Sequence, residues 1–169
     1  MLVIDTYTNC APHTGALKAR GVTHIGRYYA ARGSKRLSKA EAQAISAAGL
    51  RVFIVYEDSG DPELTVERGV RDAGLALGQA HAIGQPADSA IYFAMEHLPH
   101  GYDKSHLPGI KLYFEGIRRT LTGKYKVGCY SNGTTLAALL DAQLIEYAWV
   151  SASTSFHGSR DFLKTDRWH

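Results

Sequence analysis

The chain has 169 residues, 45% of them hydrophobic and 21% charged, with a formal net charge of +3. That size and balance suit one soluble globular domain with a sizeable core. The charge is too small to indicate nucleic acid, and no basic run is interleaved with aromatics; it fits an anionic polymer at most. No stretch approaches the roughly 18 unbroken apolar residues of a membrane span. The N-terminus "MLVIDTYTNC" opens directly on a strand-like run, without the basic segment and cleavage site of a secretory signal. Cys10 and Cys129 do not make a disulfide framework and read as ordinary semi-buried thiols.

Taken in chain order, short apolar runs alternate with helical ones. Residues 2–7 read as a strand, then 24–30. "SKAEAQAISAAG" (38–49) reads as a helix: Ser38 can cap it, Glu41 stands three residues on as in a capping box, and Gly49 ends it. A strand over 51–57 follows. The helix expected over 65–84 has Thr65 as its cap and an apolar side made by Val66, Val70, Leu77 and Ile83. Its glycines weaken it unless they allow close packing onto a sheet. A strand over 90–97 leads to a helix over 106–121, with Pro108 near its start. Strands over 126–131 and 147–153 complete six units, and "SRDFLKTDRWH" resembles the approach to a seventh strand.

Strand–helix–strand repetition implies parallel strands with crossover helices. No internal repeat or linker interrupts residues 1–169, which points to a single domain. Two α/β architectures compete, a doubly wound open sheet and a closed barrel. The first strand is followed by "TYTNCAPHTG", with no phosphate-binding glycine pattern, which weighs against a nucleotide-binding open sheet. A full eight-fold barrel takes about 250 residues. The expectation is therefore an α/β TIM-type barrel that is short or incomplete at its C-terminal end.

Polar and aromatic residues gather at the C-terminal ends of the strands, the ligand-binding edge of any parallel α/β fold. Three carboxylates end three different strands: Asp5, Glu57 and Glu96. Tyr28, Tyr130 and Trp149 offer flat apolar rings with polar tips, suited to a sugar, and Arg27 stands beside Tyr28. Clustered acids with aromatics are what glycoside hydrolysis requires. One carboxyl protonates the leaving oxygen, and another meets the oxocarbenium-like centre or activates water. The competing reading is that each carboxylate caps a following helix or pairs with Arg27. His97, His100 and His106 with Asp103 match no zinc spacing, so no metal or other cofactor is expected. Ser131 and Ser151 lie in no nucleophile elbow.

Several pieces together resemble a known family: "IDTYT", "HIGRYYA", "KRLSKAEAQAISAAGLRVFIVYE", "GVRDAGLALGQAHAIGQPADSAIYFAMEH", "YFEGIRRTL", "YKVGCYSNG" and "WVSAS". The whole is similar to the glycoside-hydrolase-like domain of unknown function related to the family 25 lysozymes. The resemblance implies a β/α barrel, an acidic pocket and a peptidoglycan-type substrate. It matches Asp5 to the first-strand acid, Glu57 to the third-strand acid and Glu96 to the fourth-strand acid, the proton donor of the related lysozymes. Those lysozymes carry Asp-x-Glu on the fourth strand, where this chain has Ala94 before Glu96. The expected function is a muramidase-like hydrolase with Glu96 as acid and Asp5 as stabiliser or nucleophile, while Glu57 tunes both. A glycan- or cell-wall-binding module without hydrolysis is the alternative, and a further one is a barrel completed by a fused segment or partner chain. Either main reading implies action outside the cytoplasm, reached by specialised secretion, phage lysis or a separate leader.

Overall fold

The computed structural model describes residues 2–31, 33–58, 63–96, 98–99 and 101–168, and these form six strands and six α-helices with two short 3-10 turns. They group into two compact units. The first holds residues up to Asp58 together with Leu75–Pro86, and the second holds the remainder.

In the first unit, β1 (Leu2–Asp5), β2 (Val22–Tyr29) and β3 (Arg51–Tyr56) pair in parallel in sequence order. Side chains alternate across a strand, so the register assigns each to a face. Ile25 and Val52 pair on the face covered by α1 (Thr14–Ala19) and α2 (Lys39–Ala47). There Cys10, Val22, Ile25, Ile45 and Leu50 form a buried cluster, with Ile4, Leu17, Ala48 and Val52 packed on it. The opposite face carries Asp5, Gly26, Phe53 and Tyr28.

Helix α2 begins as its sequence predicts, because the Ser38 side chain accepts the Glu41 amide at 3.1 Å. The return half of the capping box is not made. Glu41 instead turns inward, where Arg27 Nε and Nη2 donate to its two oxygens at 2.6 and 3.0 Å. Arg27 Nη1 donates to the Thr6 carbonyl at 2.7 Å, and the Cys10 amide donates to Glu41 Oε1 at 2.8 Å. Arg27 has no solvent exposure and Glu41 only 3%. One charge pair thus ties β2, α2 and the segment leaving β1 together.

The second unit repeats the plan with β4 (Ala90–Met95), β5 (Lys126–Ser131) and β6 (Tyr147–Val150), again parallel and in sequence order. Ile91, Phe93 and Met95 are fully buried, and Phe93 meets Phe114 of α4 (Leu107–Leu121) edge-on at 6.4 Å. Helix α5 (Gly133–Asp141) is capped by Asn132, whose side chain accepts the Thr135 amide at 2.9 Å. The expected approach to a seventh strand is instead the short helix α6 (Ser159–Phe162), which buries Phe162.

Helix α3 (Val66–Ile83) sends its first half into the second unit and its last turns into the first. The Thr65 hydroxyl accepts the Arg68 amide, as a cap should. Its inner stripe is not the expected valine–leucine side. Val70 is 42% exposed, while Ala73, Ala76 and Ala80 are fully buried. Gly69 has no room for a β-carbon because the backbone of Tyr113 and Gly116 on α4 lies against it. Its glycine serves helix-on-helix packing rather than helix-on-sheet. Among the described residues no helix is long and apolar enough to cross a membrane.

Neither unit contains the reversal of strand order that a doubly wound sheet requires. The strands end earlier than the sequence suggests, at Asp5, Tyr29, Tyr56, Met95 and Val150. Breaking the buried pair from one side leaves a charge uncompensated in the interior, which costs about 3–5 kcal/mol. Glu41→Ala therefore lowers the urea midpoint strongly, and Arg27→Met with Glu41→Leu together costs less than the sum of the single changes.

Candidate functional site

In the first unit, Asp5 closes β1, and Thr6 bonds on to the Gly26 carbonyl at 3.2 Å. Tyr28 stands two residues beyond Gly26 on the same face and donates its hydroxyl to Asp5 Oδ2 at 2.7 Å. Glu57 follows β3, its amide bonded to the Tyr29 carbonyl at 3.1 Å. Its Oε2 lies 3.0 Å from Lys35 Nζ, and that ammonium is 5.4 Å from the centre of the Tyr28 ring. A β-carbon on Gly26 would lie 2.5 Å from the Phe53 ring and 2.9 Å from Asp5 Oδ1, so glycine is what admits both.

The electrostatics of Asp5 follow from this packing. Partial burial of the carboxyl raises its pKa, and the nearby charge of Glu57 adds to the rise. The Tyr28 hydroxyl, the charge of Arg27 and the Thr6 backbone oppose it.

In the second unit, Tyr92 and Ala94 occupy alternate, half-buried positions of β4, and Glu96 is half-buried at the next alternate position, just past the strand. Register pairs Ala94 with Tyr130 and Tyr130 with Trp149. The Tyr130 and Trp149 rings lie 4.6 Å apart, Tyr92 meets Trp149 edge-on at 6.2 Å, and Tyr147 lies 6.4 Å from Tyr92. Tyr92 leans over Gly128, whose β-carbon would stand 2.6 Å from the ring. Burial beside Tyr147 pushes the Tyr92 phenol up to about 12, so it stays a neutral donor at physiological pH.

Arg27 belongs elsewhere than among the sugar-lining residues. Adjacent strand residues face opposite sides of a sheet, so Tyr28 and Arg27 cannot share one face. Arg27 lies on the helix side, fully buried, with its donors on Glu41 and Thr6. The polar end of β5 is also structural in part. Ser131 donates to the Met95 carbonyl at 2.6 Å, and Asn132 ties the Tyr102 carbonyl at 2.7 Å while capping α5. His97 and His100 lie outside the described residues. His106 Nδ1 sits 2.8 Å from Asp103, whose carboxyl Ser105 and His106 hold down to about 2 by hydrogen bonding at a helix start. Among the described residues, no group of three His, Cys, Asp or Glu side chains is placed to hold a metal ion. Cys10 and Cys129 are free and buried. A cavity of about 380 Å³ lies beside β1, lined by Ile4, Cys10, Ala16 and Leu17 among others, and among the described residues no carboxylate lines it.

Sequence reasoning missed Tyr92, Tyr147 and Lys35. The two tyrosines were within reach, since counting back by twos from Glu96 and Trp149 lands on them. Lys35 gives no such signal, because its partners are brought to it by the fold.

Two expectations follow. Gly128→Ala forces the Tyr92 ring away, costing about 1–3 kcal/mol as overpacking does, with a changed near-ultraviolet dichroism signal. Asp5 has a folded pKa above its unfolded value of 3.8. The stability linked to its proton is therefore full below about that pH and is lost as pH rises through the folded value. Asp5→Asn raises the melting temperature at pH 7, and the gap closes at pH 3.

The chain is similar to proteins of known sequence and structure. A family profile described as "Rv2525c-like, glycoside hydrolase-like domain" matches residues 15–169. The uncharacterised protein YbfG of Bacillus subtilis (strain 168) is 29% identical over 172 residues, 90% of this chain and 23% of that protein. The chain thus spans about a quarter of the length of the curated relatives it matches. The Mycobacterium tuberculosis Tat-secreted protein Rv2525c, solved in complex with L-tartrate, superposes with a TM-score of 0.74 at 18% identity, over 90% of this chain and 82% of that one. The modular autolysin LytC of Streptococcus pneumoniae superposes with a TM-score of 0.59 at 13% identity, over 90% of this chain and 38% of that one. At these identities the solved structures share the fold. The profile match over residues 15–169 is decisive for descent: the chain belongs to the Rv2525c-like, glycoside hydrolase-like domain family.

Proposed function

We propose that the chain is a peptidoglycan-directed glycoside hydrolase of muramidase type. One observation carries this reading. In each unit, carboxylates at the C-terminal ends of parallel strands share a sheet face with flat aromatic rings: Asp5 and Glu57 with Tyr28 and Phe53, and Glu96 in line with Tyr92. In this reading Glu96 gives its proton to the leaving oxygen. Asp5 meets the positive charge that develops at the sugar carbon, and Glu57 sets the charge around Asp5. Tyr28, Tyr130 and Trp149 bind sugar rings. Arg27 contacts no sugar and instead fixes the end of β1.

Support comes also from the family, which is glycoside hydrolase-like, and from LytC, which has been solved in complex with a synthetic peptidoglycan ligand. By the same kinship we propose a single domain with a TIM-type barrel plan, short of the full eight units. We likewise propose action outside the cytoplasm, as for the Tat-secreted Rv2525c.

Ala94 favours a second reading, a glycan-binding module that does not cut. It occupies the position before Glu96 on the same face, where the resembling lysozymes carry an aspartate. A methyl group offers no charge to an oxocarbenium ion.

Purified peptidoglycan separates the two. The hydrolase releases soluble muropeptides detectable by mass spectrometry, and Glu96→Gln reduces release by at least about 100-fold, as loss of a general acid does, with an unchanged circular dichroism spectrum. Co-sedimentation with peptidoglycan without any released fragment establishes the binding module instead.

A further inference from the structure

Lys35 stands in the segment after β2 that lies back along that strand, where the Leu37 amide bonds to the Tyr28 carbonyl at 2.8 Å and Arg36 bridges to Tyr28. From there its ammonium reaches both Glu57 Oε2, at 3.0 Å, and the face of the Tyr28 ring, at 5.4 Å. The same Tyr28 presents its hydroxyl to Asp5 Oδ2 at 2.7 Å. Four positions far apart in sequence thus form one chain of contacts: Glu57 to Lys35, Lys35 to Tyr28, Tyr28 to Asp5. The Lys35 and Glu57 side chains are 28% and 26% exposed, so their attraction is less screened than that of a free surface pair.

We propose that Lys35 is a positioning residue for this acidic cluster: its ammonium offsets the charge of Glu57 and clamps the Tyr28 ring, so that Asp5 stays an ionised acceptor held by the Tyr28 hydroxyl. The proposal rests on the reading of Asp5 as a reacting carboxylate, and it assigns a task to a residue that touches no substrate. The physical need is plain. Two neighbouring carboxyls without a cation tend to share one proton, which raises the pKa of one of them. Asp5 is already raised by its burial and by Glu57. Against that rise stand the Tyr28 hydroxyl on the same face and the Arg27 charge from the opposite face. Arg27 is committed to Glu41. Among the described residues, Lys35 is the cation paired with Glu57 itself. A cation over the ring also resists rotation of Tyr28 away from Asp5.

The test is a carbon-13 NMR titration of the Asp5 carboxyl in the intact protein. In Lys35→Met the Asp5 midpoint moves to higher pH, and Lys35→Arg restores it to the parent value. Glu57→Gln moves it below the parent, and in the Glu57→Gln background Lys35→Met raises it by less than in the parent, because only the hold on Tyr28 is lost. Lys35 is a partly exposed loop side chain, and thermal melts verify that each variant is folded. An Asp5 midpoint that is unchanged in folded Lys35→Met, or raised by Lys35→Met equally with and without Glu57, overturns the proposal. If the parent releases muropeptides, Lys35→Met also moves the acidic limb of its pH–rate profile upward while kcat at the plateau is retained. If the parent releases none, the hydrolase reading falls, and the titration still decides the role of Lys35.

Discussion

The first unit depends on the buried pair of Arg27 and Glu41. Strand β1 has four residues, and its Leu2 and Val3 are 46% and 44% exposed, so packing alone gives its end little to hold. The guanidinium supplies what packing does not. It grips the Thr6 carbonyl, one residue past Asp5, and shares Glu41 with the Cys10 amide. A buried ion pair is a poor source of net stability, since desolvating both charges costs several kcal/mol each. Its value is geometric. The planar fork matches the carboxylate at two points and still has a donor for Thr6. An apolar pair of similar volume fills the same space and leaves that carbonyl and amide without partners. The carboxyl of Asp5 is thus placed from the far side of the sheet.

A division between faces runs through both units. Helices cover one face, where Ile25, Ile45, Phe93 and Phe114 are fully buried. The other face keeps chemistry-bearing residues half-open. Each unit has a glycine at the middle strand on that open face, Gly26 in β2 and Gly128 in β5, and each admits an aromatic ring from a neighbour, Phe53 or Tyr92. The glycines weaken their strands slightly. In return they lower the floor of the face, so that a ring lies across the strand rather than standing off it. Polar side chains at the strand ends then sort by face as well. Ser131, buried on the helix side, ties β5 to β4 through the Met95 carbonyl, whereas Tyr130 beside it faces the open side.

Much of this was legible in the sequence. All six strands and the helices α2, α3 and α4 were, because apolar runs and caps such as Ser38 and Thr65 act locally. Helices α1, α5 and α6 were not. Of these, α5 carries a local signal in Asn132, which caps it. Other failures came from long-range commitments. Glu41 looks like the second half of a capping box until Arg27 competes for it, and a buried guanidinium is the stronger partner. Arg27 looks like a ligand contact until strand alternation is applied to its neighbour Tyr28. The spacing of Val66, Val70, Leu77 and Ile83 suggests a large-residue inner stripe for α3, yet close approach to α4 through Gly69 and Gly116 selects small ones, and Val70 is left outside. The site followed the same rule: carboxylates at strand ends could be read off, but their partners could not.

Ala94 gives the open face of β4 its chemical character. A carboxyl that donates a proton must keep it until the leaving oxygen arrives, and either a like charge or an apolar surround can do this. With a methyl group two residues before Glu96, strand β4 itself provides no like charge. The rings on this face lie along the same line: Tyr92 on the same strand, and Tyr130 in register with Ala94. Strand β4 itself offers no second carboxylate beside Glu96, so its open face sets that carboxyl in line with a methyl group and an aromatic ring rather than with a like charge.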